Sequence, residues 1–403
     1  MGSRRPSKQV FAGLAPLLLV LLSSPCLLSA QTPESQPKVH SQQAPDGIAA
    51  RRLARLRHGV NLSGWFAQVA GPNGYTKEHL ISHTTSRDLA LIKAMGFDHV
   101  RLSINPQPMF REGEADAIPK EYLGYLDEAV RSILANGLAV IVDIHPDREF
   151  KNRLAKDDGF VEQFADFWRA LAKHYATLEP DSVFFEILNE PEMLDRYRWG
   201  GIQAKLASAI REGASQNTII ATGAHWSADD DLLFLEPLRD DNVIYSFHFY
   251  EPHIFTHQGA NWGVDFWHFA HGLAYPSTPE SAEKAAAEVP EAAHRLYVIR
   301  YGFERWNGAR MEAEISQVAN WAGRHGVPVI CDEFGVYRKY ADAKSRSAWL
   351  ADVRSSLERH GMGWTVWDYS GGFGVATKNT EGKATLDELT VRALGLREHT
   401  SAR

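Results

Sequence analysis

Eight times along 403 residues a short run of apolar and β-branched side chains recurs, with amphipathic helical patterns filling the intervals. The runs lie at 59–63, 99–105, 139–145, 183–190, 218–224, 243–250, 327–334 and 364–369. Nearly continuous apolar strands are those covered on both faces, as in parallel sheets whose crossovers are helices. The helical patterns lie at 85–96, 122–136, 166–175, 202–213, 312–325 and 345–360. The first of these opens on Thr85-x-x-Asp88 and stops at Gly96, a start and a stop signal in the expected order. Eight strand–helix alternations predict a single-domain α/β fold, a (β/α)8 TIM barrel. The alternative, a doubly wound open sheet, lacks its glycine-rich phosphate loop here.

The interval 251–326 is far longer than one helix needs, so the loop after the sixth strand is enlarged. It carries Phe255, Trp262, Phe266, Trp267, Phe269 and Tyr275. Loops after barrel strands build the functional face. These aromatics therefore either stack on a substrate or form the core of a small packed subdomain.

Two of the runs end in acids. Phe185-Glu186-Ile187-Leu188-Asn189-Glu190-Pro191 closes the fourth and Val329-Ile330-Cys331-Asp332-Glu333-Phe334-Gly335 the seventh. An unpaired buried charge is expensive, so an acid at the end of an apolar strand implies use. Two carboxylates on separate strands are what cleavage of a glycosidic bond requires. Side chains at i and i+2 share a strand face. That rule groups Arg101, Ser103 and Asn105; Asp143 and His145; Ser246, His248 and Tyr250; and Val329, Cys331 and Glu333. Each set gathers polar groups near a C-terminal strand end. Glu186 falls on the face of Leu188 and Glu190 and reads as a buried structural acid.

From about Gly59 to Tyr369 the chain resembles glycoside hydrolase family 5, whose members carry an acid and a nucleophile on the fourth and seventh strands. The resemblance rests on Val100-Arg101-Leu102-Ser103, Val142-Asp143-Ile144-His145, Asn189-Glu190-Pro191, Phe247-His248-Phe249-Tyr250, Asp332-Glu333-Phe334-Gly335 and Trp367, in that strand order. It implies retaining, double-displacement hydrolysis with Glu333 as nucleophile and Glu190 as acid/base. Arg101 would keep Glu333 ionised and Tyr250 would donate to it. Asn189 would bind the sugar 2-hydroxyl, His145 and His248 would bind hydroxyls or tune the acid, and Trp367 would floor the cleaved subsite. Arg101 could instead pair with Glu186 inside the barrel. His225 and Trp226 are candidate leaving-side contacts; Asp332 and Asp368 have no assigned role. No cofactor is implied. His145 and His248 suggest zinc, but no His-x-x-x-His pair or cysteine cluster joins them, so no metal is expected.

Residues 1–30 pair Arg4, Arg5 and Lys8 with an apolar run from Leu14 to Leu22 and end in Leu28-Ser29-Ala30, an export signal too short to span a bilayer. A polar leader is expected over 31–50 and the catalytic domain over 51–398, secreted or periplasmic. Without residues 1–30 the formal charge of −7 becomes −10. An acidic chain disfavours nucleic acid and anionic membrane and suits a neutral polysaccharide or oligosaccharide partner. Past Cys26, Cys331 is the remaining cysteine, so no intrachain disulfide is expected. The leading expectation is an endo-β-1,4-glucanase. A β-mannanase, an exo-acting β-glucosidase or β-1,3-glucanase and a non-catalytic carbohydrate-binding barrel are the alternatives.

Overall fold

A computed structural model describes residues 47–69 and 74–397. The expected export signal, residues 31–46 of the leader and residue 398 lie outside the described residues. Eight parallel strands close into a barrel in sequence order. They are β1 (His58–Phe66), β2 (His99–Ile104), β3 (Ala139–Ile144), β4 (Val183–Glu186), β5 (Ile219–Thr222), β6 (Val243–Phe249), β7 (Val329–Phe334) and β8 (Gly363–Val366). The (β/α)8 fold read from the periodicity is therefore the one observed. Among the described residues no helix is long and apolar enough to cross a membrane.

Several helices begin earlier than their apolar periodicity shows, because an Asp or Asn cap starts them. Asp157 caps Asp158–Tyr175, Asp195 caps Arg196–Gly213, Asn307 caps Gly308–His325 and Asp342 caps Ala343–Arg359, each through its side chain. Such a cap satisfies N–H groups that the first helical turn leaves without partners. The helix Ser86–Met95 has the expected Thr85–Asp88 capping box and ends at Gly96 with φ +105°, a left-handed turn that favours glycine.

The lower barrel lumen is apolar: Ala139, Ile141, Phe184, Ile220, Ile244 and Ile330 meet there. Ala49, Leu53 and Leu56 plug it from below. Ala49 and Leu53 come from the helix Ile48–Leu53, which begins inside the stretch expected to be leader. Arg52 of that helix anchors it through Asp181 at 2.6 Å and Thr218 at 3.1 Å. Gly59 is required where β1 meets β2, since a Cβ there would lie 2.0 Å from the buried His99 ring.

The expected alternation fails in two places. β4 ends at Glu186, and Glu190 sits in a turn at φ +45°, a conformation uncommon outside glycine and often found at functional sites. In β7 the residues aligned with Glu333 from sequence face the other way. Val329 and Cys331 pack outward in the core under the helices, while Ile330 joins the lumen. The β6–β7 register shifts at Phe247/His248, and the β7–β8 register shifts between Cys331 and Phe334. Asp332 follows Ile330 into the lumen by alternation, and the irregularity, which re-aims side chains, turns Glu333 toward the barrel axis as well.

Candidate active site

The C-terminal strand ends open into a cleft of about 1710 Å³. Glu190, Glu333, His145, His248, Tyr250 and Trp367 line it. Arg101 and Asn189 lie just beneath, both buried.

Arg101 contacts both of the carboxylates that its two readings named, Glu333 and Glu186. Its Nε and Nη2 donate to the two oxygens of Glu186, each at 2.6 Å, and Nη1 donates to Glu333 Oε1 at 2.7 Å. Nη1 and Nη2 also donate to Asn61 Oδ1 and Asn189 Oδ1, both at 2.9 Å, and Asp143 lies 3.1 Å away. Burial opposes the guanidinium charge, but Asp143 and Glu186 outweigh it and hold Arg101 well above its ordinary value. The fork of donors ties the carboxylates of Glu186 and Glu333 and the amides of Asn61 and Asn189 to one group.

Tyr250 donates to the second oxygen of Glu333 at 2.9 Å. Burial, then the charges of Glu333 and Glu190, raise its hydroxyl well above the usual range, so it stays a donor. Glu190 meets His248 Nδ1 at 2.9 Å. Burial lowers His248, yet Glu333, Glu190 and Asp332 together raise it to about 9. Burial pushes Glu190 up, but its hydrogen bond and charge contact with His248 hold it below the usual carboxylate range. Without substrate, therefore, the proton of this pair rests on His248.

His145 is pushed down to about 3, first by burial, and is a neutral imidazole. Its Nδ1 meets Asp143 Oδ2 at 2.9 Å, which assigns Nε2 as acceptor from Asn189 Nδ2 at 3.1 Å. Asn189 is thus gripped at both ends of its amide. The Trp367 ring stacks on His145 at 5.8 Å, packs with Tyr250 and Phe373, and lines the cleft. Trp226, half-exposed at φ +51°, and His225 also line the cleft. The eight expected site residues converge on one place.

The enlarged loop divides its aromatics between an inner core and the wall of the cleft. Phe255 and Tyr275 are buried in an inner core with Tyr301. Trp262, Phe266 and Trp267 line the cleft, Trp262 edge-on to Tyr337 at 4.9 Å.

Asn61, Gln68, Asp143 and Asp332 were not among the expected site residues. Asn61 has a signal in sequence, as a polar residue between Gly59 and Ser63 on one face of an otherwise apolar run. Gln68, 3.2 Å from His145 Nε2, lies past β1 in a loop, where periodicity carries no information. An oxygen of Glu190 and one of Glu333 lie within 4.8 Å of each other, and His248 is as close to both. Two carboxyl groups so near can attack and protonate the same bond, whereas the wider spacing of about 6.5–9.5 Å leaves room for a water.

The family model for cellulase (glycosyl hydrolase family 5) matches residues 60–372. The chain belongs to glycoside hydrolase family 5. It is a glycoside hydrolase. Endoglucanase C of Acetivibrio thermocellus is 29% identical to it over 323 residues, 79% of this chain and 92% of that protein. Cellodextrinase A of Ruminococcus flavefaciens is 27% identical over 314 residues, 75% of this chain and 82% of the relative. Among solved structures of the family fold, Thermotoga maritima Cel5A in complex with cellobiose matches with a TM-score of 0.69 and 26% identity, covering 85% of this chain and 99% of that one. The same enzyme in complex with mannotriose gives 0.70 and 25%, over 85% and 99%.

Proposed function

We propose that this chain is a retaining endo-β-glycanase acting on β-1,4-glucan. The observation that carries the mechanism is the approach of Glu190 to Glu333 within 4.8 Å, with Arg101 and Tyr250 already donating to both oxygens of Glu333. Glu333 attacks the anomeric carbon, and its glycosyl ester replaces the bond to the leaving oxygen. Glu190 protonates that oxygen, then removes a proton from the water that releases the sugar. In the free protein Glu190 is anionic beside the charged His248, 2.9 Å away, so it takes up one proton from solvent before it acts as the acid. Asn189, with its oxygen held by Arg101, presents its amide N–H toward the sugar 2-hydroxyl, and Trp367 supplies the apolar floor. His145 is neutral and orients Asn189.

The glucan assignment rests on the endoglucanase and cellodextrinase relatives. A mannan reading is kept because the Thermotoga maritima enzyme was also solved with mannotriose. The basic, apolar and small-residue order of residues 1–30 supports export from the cytoplasm. The test is reducing-sugar release from soluble β-1,4-glucan and β-1,4-mannan in parallel, with Glu333→Gln as the blank. Faster turnover of glucan, lost in the variant by roughly 10⁴-fold, is the expected result. Turnover that survives Glu333→Gln removes the nucleophile assignment, and faster turnover of mannan transfers the substrate.

A further inference from the structure

His248 has a second face. Its Nδ1 serves Glu190, 2.9 Å away, with Glu333 Oε2 at 3.6 Å. Its Nε2 points into the barrel and lies 3.5 Å from Asp332 Oδ1, with no hydrogen-bond partner. Both oxygens of Asp332 are also without a partner, and both residues are buried. A ring nitrogen and a carboxylate left facing each other in a dry interior are costly unless a proton lies between them. Asp332 follows Ile330 into the lumen by ordinary alternation, and the irregular β6–β7–β8 pairing brings Glu333 inward beside it.

We propose that Asp332 is a positioning residue for the acid/base step, a proton store that charges His248 when Glu190 is anionic and discharges it when Glu190 is protonated. This rests on the reading of Glu190 as the acid/base. As Glu190 gives its proton to the leaving oxygen, the O–H bond of Asp332 breaks and an N–H bond forms at His248 Nε2. The imidazolium holds the new Glu190 carboxylate through its Nδ1–H. As Glu190 takes a proton from the incoming water, the N–H bond at Nε2 breaks and the O–H bond of Asp332 re-forms. Over one turnover His248 and Asp332 together gain and lose no proton. A permanently charged His248 would make Glu190 a poor acid, and a permanently neutral one would leave its carboxylate unsupported.

The surroundings favour a movable proton. The groups facing the pair are Glu186 on β4, whose carboxylate lies within 4.8 Å of both, and Glu190 just beyond that strand. Asp143 on β3, Arg101 on β2, Ser246 on β6 and Glu333 on β7 complete the set. Burial, then Glu186, raises Asp332 to about 7, and His248 stands near 9, so both can hold a proton at neutral pH. Arg101 is committed to Glu186, Asp143 and Glu333 and leaves Asp332 to His248.

Asp332→Asn keeps the size and removes the proton store. For this variant kcat/KM is expected to fall at least tenfold on a cello-oligosaccharide, whose sugar leaving group needs a proton. It should change less than twofold on 2,4-dinitrophenyl β-cellobioside, whose leaving group does not. The alkaline limb of the kcat/KM profile should move up by about one pH unit, because Glu190 loses its imidazolium. Equal losses on both substrates with an unmoved alkaline limb overturn the proposal. Glu190→Ala separates the two readings. If it shows the leaving-group contrast and Asp332→Asn does not, only the proton store fails; if Glu190→Ala shows none, the acid/base reading fails first. Should Asp332→Asn not fold, ¹⁵N NMR of the His248 ring decides. Charged at pH 7 in the wild type and neutral in Glu190→Gln supports the proposal, and the same charge in both overturns it.

Discussion

The lower and upper halves of the barrel lumen are built by the same strands two residues apart. Ile141, Phe184, Ile244 and Ile330 fill the lower half. Asp143, Glu186, Ser246 and Asp332, the next lumen-facing residues on those strands, fill the upper half with charge and hydroxyl groups and are all buried. The lower layer needs only volume and is sealed by Leu53 and Leu56. The upper layer gathers Asp143, Glu186 and Glu333 around one guanidinium, an arrangement that burial opposes and only specific pairing sustains. The lower layer thus contributes packing alone, and the upper layer couples stability to chemistry, within one continuous set of strands.

Substitutions at the two levels should separate these contributions. Arg101→Met, which keeps bulk and removes charge, leaves Glu186, Asp143 and Glu333 without their cation. It should destabilise the fold by about 3–5 kcal/mol and also abolish most activity, read by urea unfolding and initial rates. Phe184→Ala, one layer down, should cost about 3–5 kcal/mol through its cavity with kcat and KM unchanged below the unfolding transition. If Phe184→Ala lowers kcat as Arg101→Met does, the two levels are not separable.

A pH test that compares Asp332→Asn with the wild type isolates one carboxyl of the upper layer, because His83, His145, His257, Asp229 and Asp368 also shift on folding and do so in both proteins. Burial raises Asp143 to about 6 and Glu186 and Asp332 to about 7, from ordinary values of 3.8, 4.5 and 3.8. Between pH 4.5 and 6.5 the folded protein therefore holds protons that the unfolded chain has released, so this layer's contribution to stability falls as pH rises through that window. His248 acts outside it: its stabilisation is full below 6.5 and is lost as pH rises through about 9. Glu190, held low, contributes above its unfolded value and is likewise constant within the window. Asp332→Asn should flatten the slope by up to about 1.4 kcal/mol per pH unit, measured as urea midpoints across the window. An unchanged slope would mean that Asp332 titrates normally. The smallest effect is expected at the rim: Trp262→Ala should remove about 1 kcal/mol of stacking, roughly a fivefold rise in KM with kcat unchanged.

Much of this was legible without coordinates because it is local. Strand runs, caps and the Asn189-Glu190-Pro191 segment each occupy a few neighbouring residues. Arg101, His145, His248, Tyr250 and Trp367 could be placed because a parallel barrel sends every strand's C-terminal end to one face. The helix Ile48–Leu53 was hidden, since its plugging role depends on Ile220 and Ile330 far along the chain. Gln68 was hidden for the same reason.

The sequence by itself determined the barrel, its order of strands and the polar strand ends that meet at its mouth, because alternation with period two and helical periodicity are properties of neighbouring residues. The tertiary structure alone decided the aim of β7. Simple alternation puts Glu333 with Cys331 on the outward face, yet the irregular registers with β6 and β8 turn Glu333 inward beside Asp332. Pairing register is set by the strands on either side, and no pattern within seven residues of one strand contains it.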